Sequence, residues 1–298
     1  MNPIRTLLAA TDLSASARHA AARAAVLAAE SGARLVLVHV VDDRLIAGLR
    51  TLRGANGETL EKRLLDEVAG ALAGLASAIE KRYGVAAVVH LSTGSVLQRI
   101  SSLTDRFDAD LLVLGARGEG FVRELLLGST TERVLRMTTR PLLVVKQMPH
   151  ESYRRVLIPV DFSDRSAVAL DCARAVAPRA DHVVLHAYES PFERKLHFAG
   201  LDDFEMIELR AAAEREAMTR INTLVADGGG PGEAIQRIVV HGLPTPCILE
   251  QEQEQDCDLI VIGKHGSGML EELLLGRVTK HVLALSSADV LVCDRRIT

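Results

Sequence analysis

The chain contains its own pattern twice. LLVLGARGEGFVRELLLGST (111–130) has a counterpart in LIVIGKHGSGMLEELLLGRV (259–278), and Gly115, Gly118 and Gly128 recur as Gly263, Gly266 and Gly276, each 148 residues later. Upstream, RTLLAATDLS (5–14) matches RRVLIPVDFS (154–163), and RLVLVHV (34–40) matches HVVLHAY (182–188), at offsets within two residues of that value. Solenoids repeat every 20–50 residues or so and stack one supersecondary unit on the next, so a period this long means duplication of a whole domain. The 298 residues therefore divide into two domains, expected at 1–148 and 152–298 with the join near QMPHESY (147–153). Each half is long enough to bury a core of its own.

Within each half, short apolar runs alternate with Ala-rich stretches of helical period, the signature of βα units on a parallel sheet covered on both faces. Strands are expected near 5–10, 34–40, 85–90, 110–114 and 141–146, and again near 154–160, 182–188, 235–240, 258–262 and 289–293. First-half helices are expected from a Ser14 or Ser16 N-cap to Gly32, over 58–83, over 95–107, and from Ser129 to before Pro141. The segments 42–58 and 189–203 read as irregular, placed to cover a crevice or meet a partner, and ADGGGPGEA (226–234) reads as a turn inside the second repeat. The fifth strands, PLLVV and ADVLV, would leave exposed sheet edges unless they pair across the two halves.

Composition removes several function classes. A formal net charge of −4 gives no electrostatic footprint for nucleic acid or anionic lipid, and the absence of Trp with aromatics at 3% argues against base-stacking platforms. The opening MNPIRTLLAATDLS is too short an apolar run for a signal peptide, and no stretch approaches the roughly 18 apolar residues of a membrane span, so a cytoplasmic protein is expected. The four cysteines, Cys172, Cys247, Cys257 and Cys293, form no CxxC pair, which argues against a disulfide framework and a thiolate metal site. They read as buried thiols, with Cys247 in PTPC the one to test for reactivity.

In open parallel sheets, ligands bind at the carboxyl ends of strands where the winding reverses. Two unusual stretches fall there: Thr11-Asp12 after strand one, and Gly115 to Gly118 after strand four. Glycine lets backbone N–H groups converge on one point, and Ser129 and Thr130 add amides and hydroxyls at a helix start, where negative charge is favoured. Together they point to a polyphosphate. The alternative is structural: Ser129 caps its helix, the glycines permit a tight turn, and Asp12 caps the turn after strand one. The loop has no lysine in a GxxxxGK[ST] arrangement, and no Ser-His-Asp or metal-binding set assembles by spacing. Arg117 and Arg123 lie within reach of the loop's ligand but read equally as solvated. His39 and His186 recur at equivalent positions on strand two and read as packed or hydrogen-bonded histidines. A phosphorylation receiver would need an acceptor aspartate after strand three, and VVHLST supplies none.

With GxxG, nine residues and G[ST] met at Gly115, Gly118, Gly128 and Ser129, and a strand-one ending of Thr11-Asp12, the chain resembles the universal stress protein family in its tandem two-domain form. The resemblance covers essentially the whole chain. It implies two doubly wound five-stranded parallel α/β domains of strand order 3-2-1-4-5, adenine nucleotide alpha hydrolase-like, with ATP, with or without Mg²⁺, as the ligand. Carried over by position, it implies adenine near Ala10, Thr11, Asp12 and Val40, ribose near Asp12 and Gly115, and phosphates at Gly118, Gly128, Ser129 and Thr130, with Leu114 and Arg117 beside them. Family members often have proline where Ala10 stands.

The second half keeps Pro159, Asp161, Gly263, Gly266 and Gly276, but Val160 replaces Thr11 and Arg277 replaces Ser129, so its motif is degenerate. These seven residues leave open a weaker or altered second ligand site, where Arg277 cannot cap as a hydroxyl does but its guanidinium can still pair with a phosphate. Lys264 and His265 in its loop read as solvated, with anion attraction the alternative. Three functions follow: a nucleotide-dependent stress-response binding protein, a slow Mg-dependent ATP hydrolase, or a nucleotide-free interaction scaffold. The implied partners are an adenine nucleotide and an unknown protein. The family's single-domain members dimerise through strand five, which implies a pseudo-dimer within this chain and leaves a further homodimer open.

Overall fold

The computed structural model describes residues 4–53, 57–116, 127–189, 203–228, 235–266 and 275–294. Arg117, Gly118 and Arg123, most of the segment 189–203 and the end of ADGGGPGEA lie outside the described residues.

The first half runs β1 (Thr6–Ala10), α1 (Ala15–Ser31), β2 (Arg34–Val41), α2 (Asp43–Arg53), α3 (Gly57–Tyr83), β3 (Ala87–Thr93), α4 (Val96–Arg106), β4 (Leu111–Gly115), α5 (Ser129–Met137) and β5 (Leu142–Val145). The second runs β6 (Arg155–Pro159), α6 (Asp164–Val176), β7 (Asp181–Tyr188), α7 (Asp203–Gly228), β8 (Ile235–His241), α8 (Pro244–Glu254), β9 (Leu259–Gly263), α9 (Arg277–Leu285) and β10 (Asp289–Cys293).

Local sequence sets the boundaries of α1. The Ser14 hydroxyl accepts the Ala17 N–H, and Gly32 adopts φ 71°, a left-handed conformation that costs glycine little, and donates to Ala28 O. The helix buries Ala17, Ala20, Ala21, Ala24, Ala25 and Ala28, small side chains that let it lie close to the sheet. Strands β4, β5 and β10 are buried along their whole length, as expected of strands covered on both faces.

The strand order is β3-β2-β1-β4-β5-β10-β9-β6-β7-β8. Each half is thus a parallel sheet of order 3-2-1-4-5, and the two join where β5 lies antiparallel to β10, with Leu142, Leu143 and Val144 opposite Val292, Leu291 and Val290. Both fifth-strand edges are consumed in one ten-stranded sheet.

A buried polar cluster sits at this join. The Asp289 carboxylate accepts the Lys146 N–H at 2.8 Å and the Tyr153 hydroxyl at 2.7 Å, and faces Arg23 Nε of α1 at 3.3 Å. The Arg23 guanidinium lies 4.0 Å from the Tyr153 ring centre and donates to Glu151 O. Burial pushes the Asp289 carboxyl above its ordinary range, against the pull of Arg23 and the donors around it. The cluster is one-sided, because Pro141 stands at the first-half position of Asp289 and Cys172 at the second-half position of Arg23. Two lysines also reach across the join: Lys146 Nζ donates to Ser286 O beyond α9, and Lys264 Nζ to Thr138 O beyond α5.

Two expectations change. The segment 42–58 is largely helical, not irregular: the Asp42 carboxylate accepts the Arg44 N–H, Ile46 is buried, and Arg50 makes a two-bond ion pair with Glu61 (2.7 and 2.9 Å) that holds α2 against α3. Strand β3 spans 87–93, shifted from the expected 85–90 because it pairs with β2 through Val41↔Thr93. Among the described residues, no helix is long and apolar enough to cross a membrane.

Removing one partner of a buried ion pair leaves an uncompensated charge. Arg23→Met is therefore expected to cost about 3–5 kcal/mol. Urea unfolding of Arg23→Met, Asp289→Asn and the double variant checks this; the double variant should be more stable than the sum of the single losses allows.

Candidate functional site

Nine of the eleven first-half residues expected at the ligand line one cavity of about 240 Å³ at the carboxyl ends of β1 and β4: Ala10, Thr11, Asp12, Val40, Leu114, Gly115, Gly128, Ser129 and Thr130. The other two, Arg117 and Gly118, lie outside the described residues.

The floor is built by the β1 turn. Thr11 N–H donates to Val38 O, the buried Thr11 hydroxyl accepts the Leu13 N–H at 3.0 Å, and the Asp12 carboxylate accepts the Ser14 N–H at 3.0 Å. Asp12 therefore does cap its turn, and its exposed carboxylate also lines the cavity.

The opposite wall is formed by the described ends of the glycine loop, Gly115 and Gly128, and by the start of α5. Ala116 N–H donates to Val145 O and Gly128 N–H to Ala116 O, each at 2.8 Å, so the two ends of the loop are pinned to the end of β5. Helix α5 starts at Ser129, but its N-cap is Gly128 and no side chain caps it. Ser129 is therefore not the cap residue. The first-turn N–H groups of an α-helix have no intrahelical acceptor, and here the residues carrying them line the cavity.

Two features hold that helix start in place. The Thr131 hydroxyl donates to Gly115 O at 2.9 Å, tying α5 to the end of β4. At Gly115, a Cβ would lie 2.7 Å from Ser16 Oγ and 2.9 Å from the Ser16 backbone, so only glycine lets α1 approach the strand end this closely. The role of Thr131 was missed in the sequence, although its signal was present: Thr279 recurs 148 residues on and donates to Gly263 O at 2.8 Å.

The second half forms a crevice in the same place, of about 290 Å³, and all seven of its expected residues line it: Pro159, Val160, Asp161, Gly263, Gly266, Gly276 and Arg277. Its loop base has the same bonds, Lys264 N–H to Cys293 O and Gly276 N–H to Lys264 O. Its polar groups are arranged differently. Asp161 Oδ1 accepts the Ser163 N–H, the Ser163 hydroxyl and the Ser166 hydroxyl, and Ser166 stands where the first half has Ala17.

Lys264 and His265 are not solvated: both are buried, at 3% and 4% exposure. The lysine is drawn inward by carbonyls at the C-terminal end of α5, Thr138 O at 2.9 Å and Arg136 O at 3.3 Å, where the helix end is negative. Periodicity within one half cannot reveal acceptors supplied by the other.

The remaining reactive side chains are structural. His186 Nδ1 lies 2.8 Å from Val160 O and its ring packs on Phe162 at 4.3 Å; burial is the main influence pulling its pKa down. All four cysteines are free and buried. Burial, with Glu250 nearby, raises the Cys247 thiol, and burial pushes Cys257 up to about 12.

Comparison with known proteins agrees with this architecture. The model of the universal stress protein family matches residues 3–146 and again 152–294. A universal stress protein of Methanocaldococcus jannaschii is 31% identical over 157 residues, covering 48% of this chain and 96% of that one. One from Mycobacterium tuberculosis is 31% identical over 209 residues, 67% of this chain but 64% of the relative's own length. A solved universal stress protein of Archaeoglobus fulgidus superposes with a TM-score of 0.62 at 20% identity, over 97% of this chain and 98% of that one, a likeness of fold.

Gly115→Ala should destabilise the chain by about 1–3 kcal/mol through overpacking against Ser16. Gly70→Ala, in α3 with nothing within 4 Å of the added Cβ, should stabilise it by about 0.5–1 kcal/mol. Thermal melts of both variants separate a glycine required by close approach from one that is not. Thiol titration should find all four cysteines unreactive in the folded chain and reactive in denaturant, whereas rapid labelling of Cys247 in the native protein would contradict the buried assignment.

Proposed function

The chain belongs to the universal stress protein family as a tandem pair of its domains, and on that footing we propose that it is an ATP-binding regulatory protein of the stress response whose nucleotide site is the first-half crevice. The observation that carries this reading is the uncapped start of α5, where the residues bearing unpaired first-turn amides, Ser129 and Thr130 among them, face a cavity with apolar walls at Val38, Val40 and Val96. Phosphate oxygens are the natural acceptors for those amides and hydroxyls, and the apolar end suits an adenine ring. Asp12 is the group for the ribose hydroxyls, and Gly118 and Arg117 complete the phosphate loop.

A binder fits this crevice better than a hydrolase. Phosphoryl transfer needs cations at the transferring group. Among the described lining residues there is no lysine or arginine and Asp12 is the one charged side chain, which leaves Arg117 of the loop as the single cation that this reading assigns to the phosphates. A magnesium ion, if bound, would come with the nucleotide's own oxygens. In this reading the nucleotide-loaded chain acts in the cytoplasm by presenting an altered loop surface to a protein partner.

Calorimetry with ATP tests the proposal. One molecule per chain should bind, and Ser129→Ala, which removes the hydroxyl and adds no charge, should weaken binding about tenfold through loss of a charge-assisted hydrogen bond. ATP should be recovered intact after incubation with magnesium. Steady ADP release would make the protein an enzyme, and absence of any nucleotide binding would leave the scaffold function.

A further inference from the structure

The second-half crevice is of similar size to the first, yet it has lost three of the hydroxyls that would recognise a nucleotide. Relative to the first half, Val160 stands for Thr11, Val278 for Thr130, and Arg277 for Ser129, so three hydroxyls are gone from its lining. Ala187 stands for Val40 and opens the wall, while Leu185, Ile248 and Ile262, where the first half has Val38, Ile100 and Leu114, keep the interior hydrocarbon-like. Asp161, the counterpart of the ribose-facing Asp12, is engaged by three donors from its own turn. A crevice that merely decayed would be expected to fill with its own side chains, since protein interiors are close-packed. This one has stayed open at about 290 Å³.

Among the described residues, the charges around it leave one cation without a partner. Arg165, also in the lining, pairs with Asp294 at 3.1 Å. Lys264, behind the loop base, is held by the carbonyls beyond α5 and lies 3.8 Å from Asp294. His265 is buried in the wall. Arg277 alone is exposed at the mouth with no hydrogen bond or ion pair to any described residue, Asp161 included. It is also the first residue of α9, where the helix field opposes a positive charge, so an anion lodged between guanidinium and helix start would relieve an unfavourable contact. A single guanidinium matches one carboxylate, which it can grip with two parallel hydrogen bonds. What this crevice lacks, beside the first, are the hydroxyls of Thr11, Ser129 and Thr130 at the places that a phosphate chain would occupy.

We propose that the C-terminal crevice binds an apolar monocarboxylate of the medium-chain fatty acid kind, with its hydrocarbon body between Val160, Leu185, Ala187 and Ile248 and its carboxylate on Arg277. The chain then has two chemically different ligand sites built on one duplicated scaffold. This assignment does not depend on what the first-half crevice holds.

Full-length protein stripped of bound lipid is titrated calorimetrically with decanoate, with decanol as the same body lacking the charge, and with ATP. Decanoate should bind once per chain and about tenfold more tightly than decanol, the size of one charge-assisted hydrogen-bonded contact. Arg277→Gln, a surface change, should reduce decanoate to the level of decanol. Ala187→Phe, which fills the crevice, should abolish binding of both while circular dichroism remains native. Excess ATP should not displace decanoate, whether or not ATP itself binds. Equal affinity for decanoate and decanol would overturn the proposal, as would decanoate binding indifferent to Arg277→Gln and Ala187→Phe, or a second ATP per chain that disappears with Arg277→Gln.

Discussion

The short contact between β5 and β10 is the constraint on which the rest of the molecule depends. Four residues, Leu142–Val145, are enough to close two parallel sheets into one, because they are the sole open edge that each half presents beside its glycine loop. Antiparallel pairing relates the halves by an approximate two-fold rotation. It therefore brings the carbonyl ends of α5 and α9 against the neighbouring half: Lys146 reaches Ser286 O and Lys264 reaches Thr138 O. The Asp289, Arg23 and Tyr153 cluster breaks that symmetry and occurs once. Buried charges of this kind add little net stability compared with apolar packing, but they penalise any arrangement that separates them.

Helix α5 consequently belongs to both halves. Its first turn lines the first crevice, and the carbonyls beyond its last turn are held by Lys264, whose own backbone N–H and C=O form the loop base of the second crevice. In the first half the same position is Ala116, so the grip is directional. Any displacement of the α5 start must be accommodated at Lys264 or by loosening the Thr131 to Gly115 tether. The two crevices are thus in mechanical contact through nine residues of helix.

Much of this was legible in the sequence, because the duplication turns one chain into two readings of the same fold. Strand positions, the order of the sheet, the Ser14 and Gly32 caps and the cross-pairing of the fifth strands all follow from periodicity, edge chemistry and the family pattern. Position alone brings nine of the eleven first-half residues and all seven second-half residues to the two crevices, while Val38, Val96 and Thr131 in the first lining and Arg165 and Ser166 in the second were not marked by it. Three features did not follow from the sequence. Helix α2 buries little more than Ile46, and its glycine-punctuated sequence carries no strong stripe; an ion pair to α3 supports it instead. Lys264 takes its burial from acceptors in the other half, which no local pattern encodes. The Thr131 tether is a single hydroxyl that only the comparison of the repeats with each other marks out.

The central claim is that the main-chain amides at the start of α5 hold a triphosphate, and that those at the start of α9 do not. Amide hydrogen exchange with and without ATP measures this directly. The account predicts slowed exchange at 128–131 on adding ATP and no change at 276–279. Equal protection of both segments, or of neither, would contradict it.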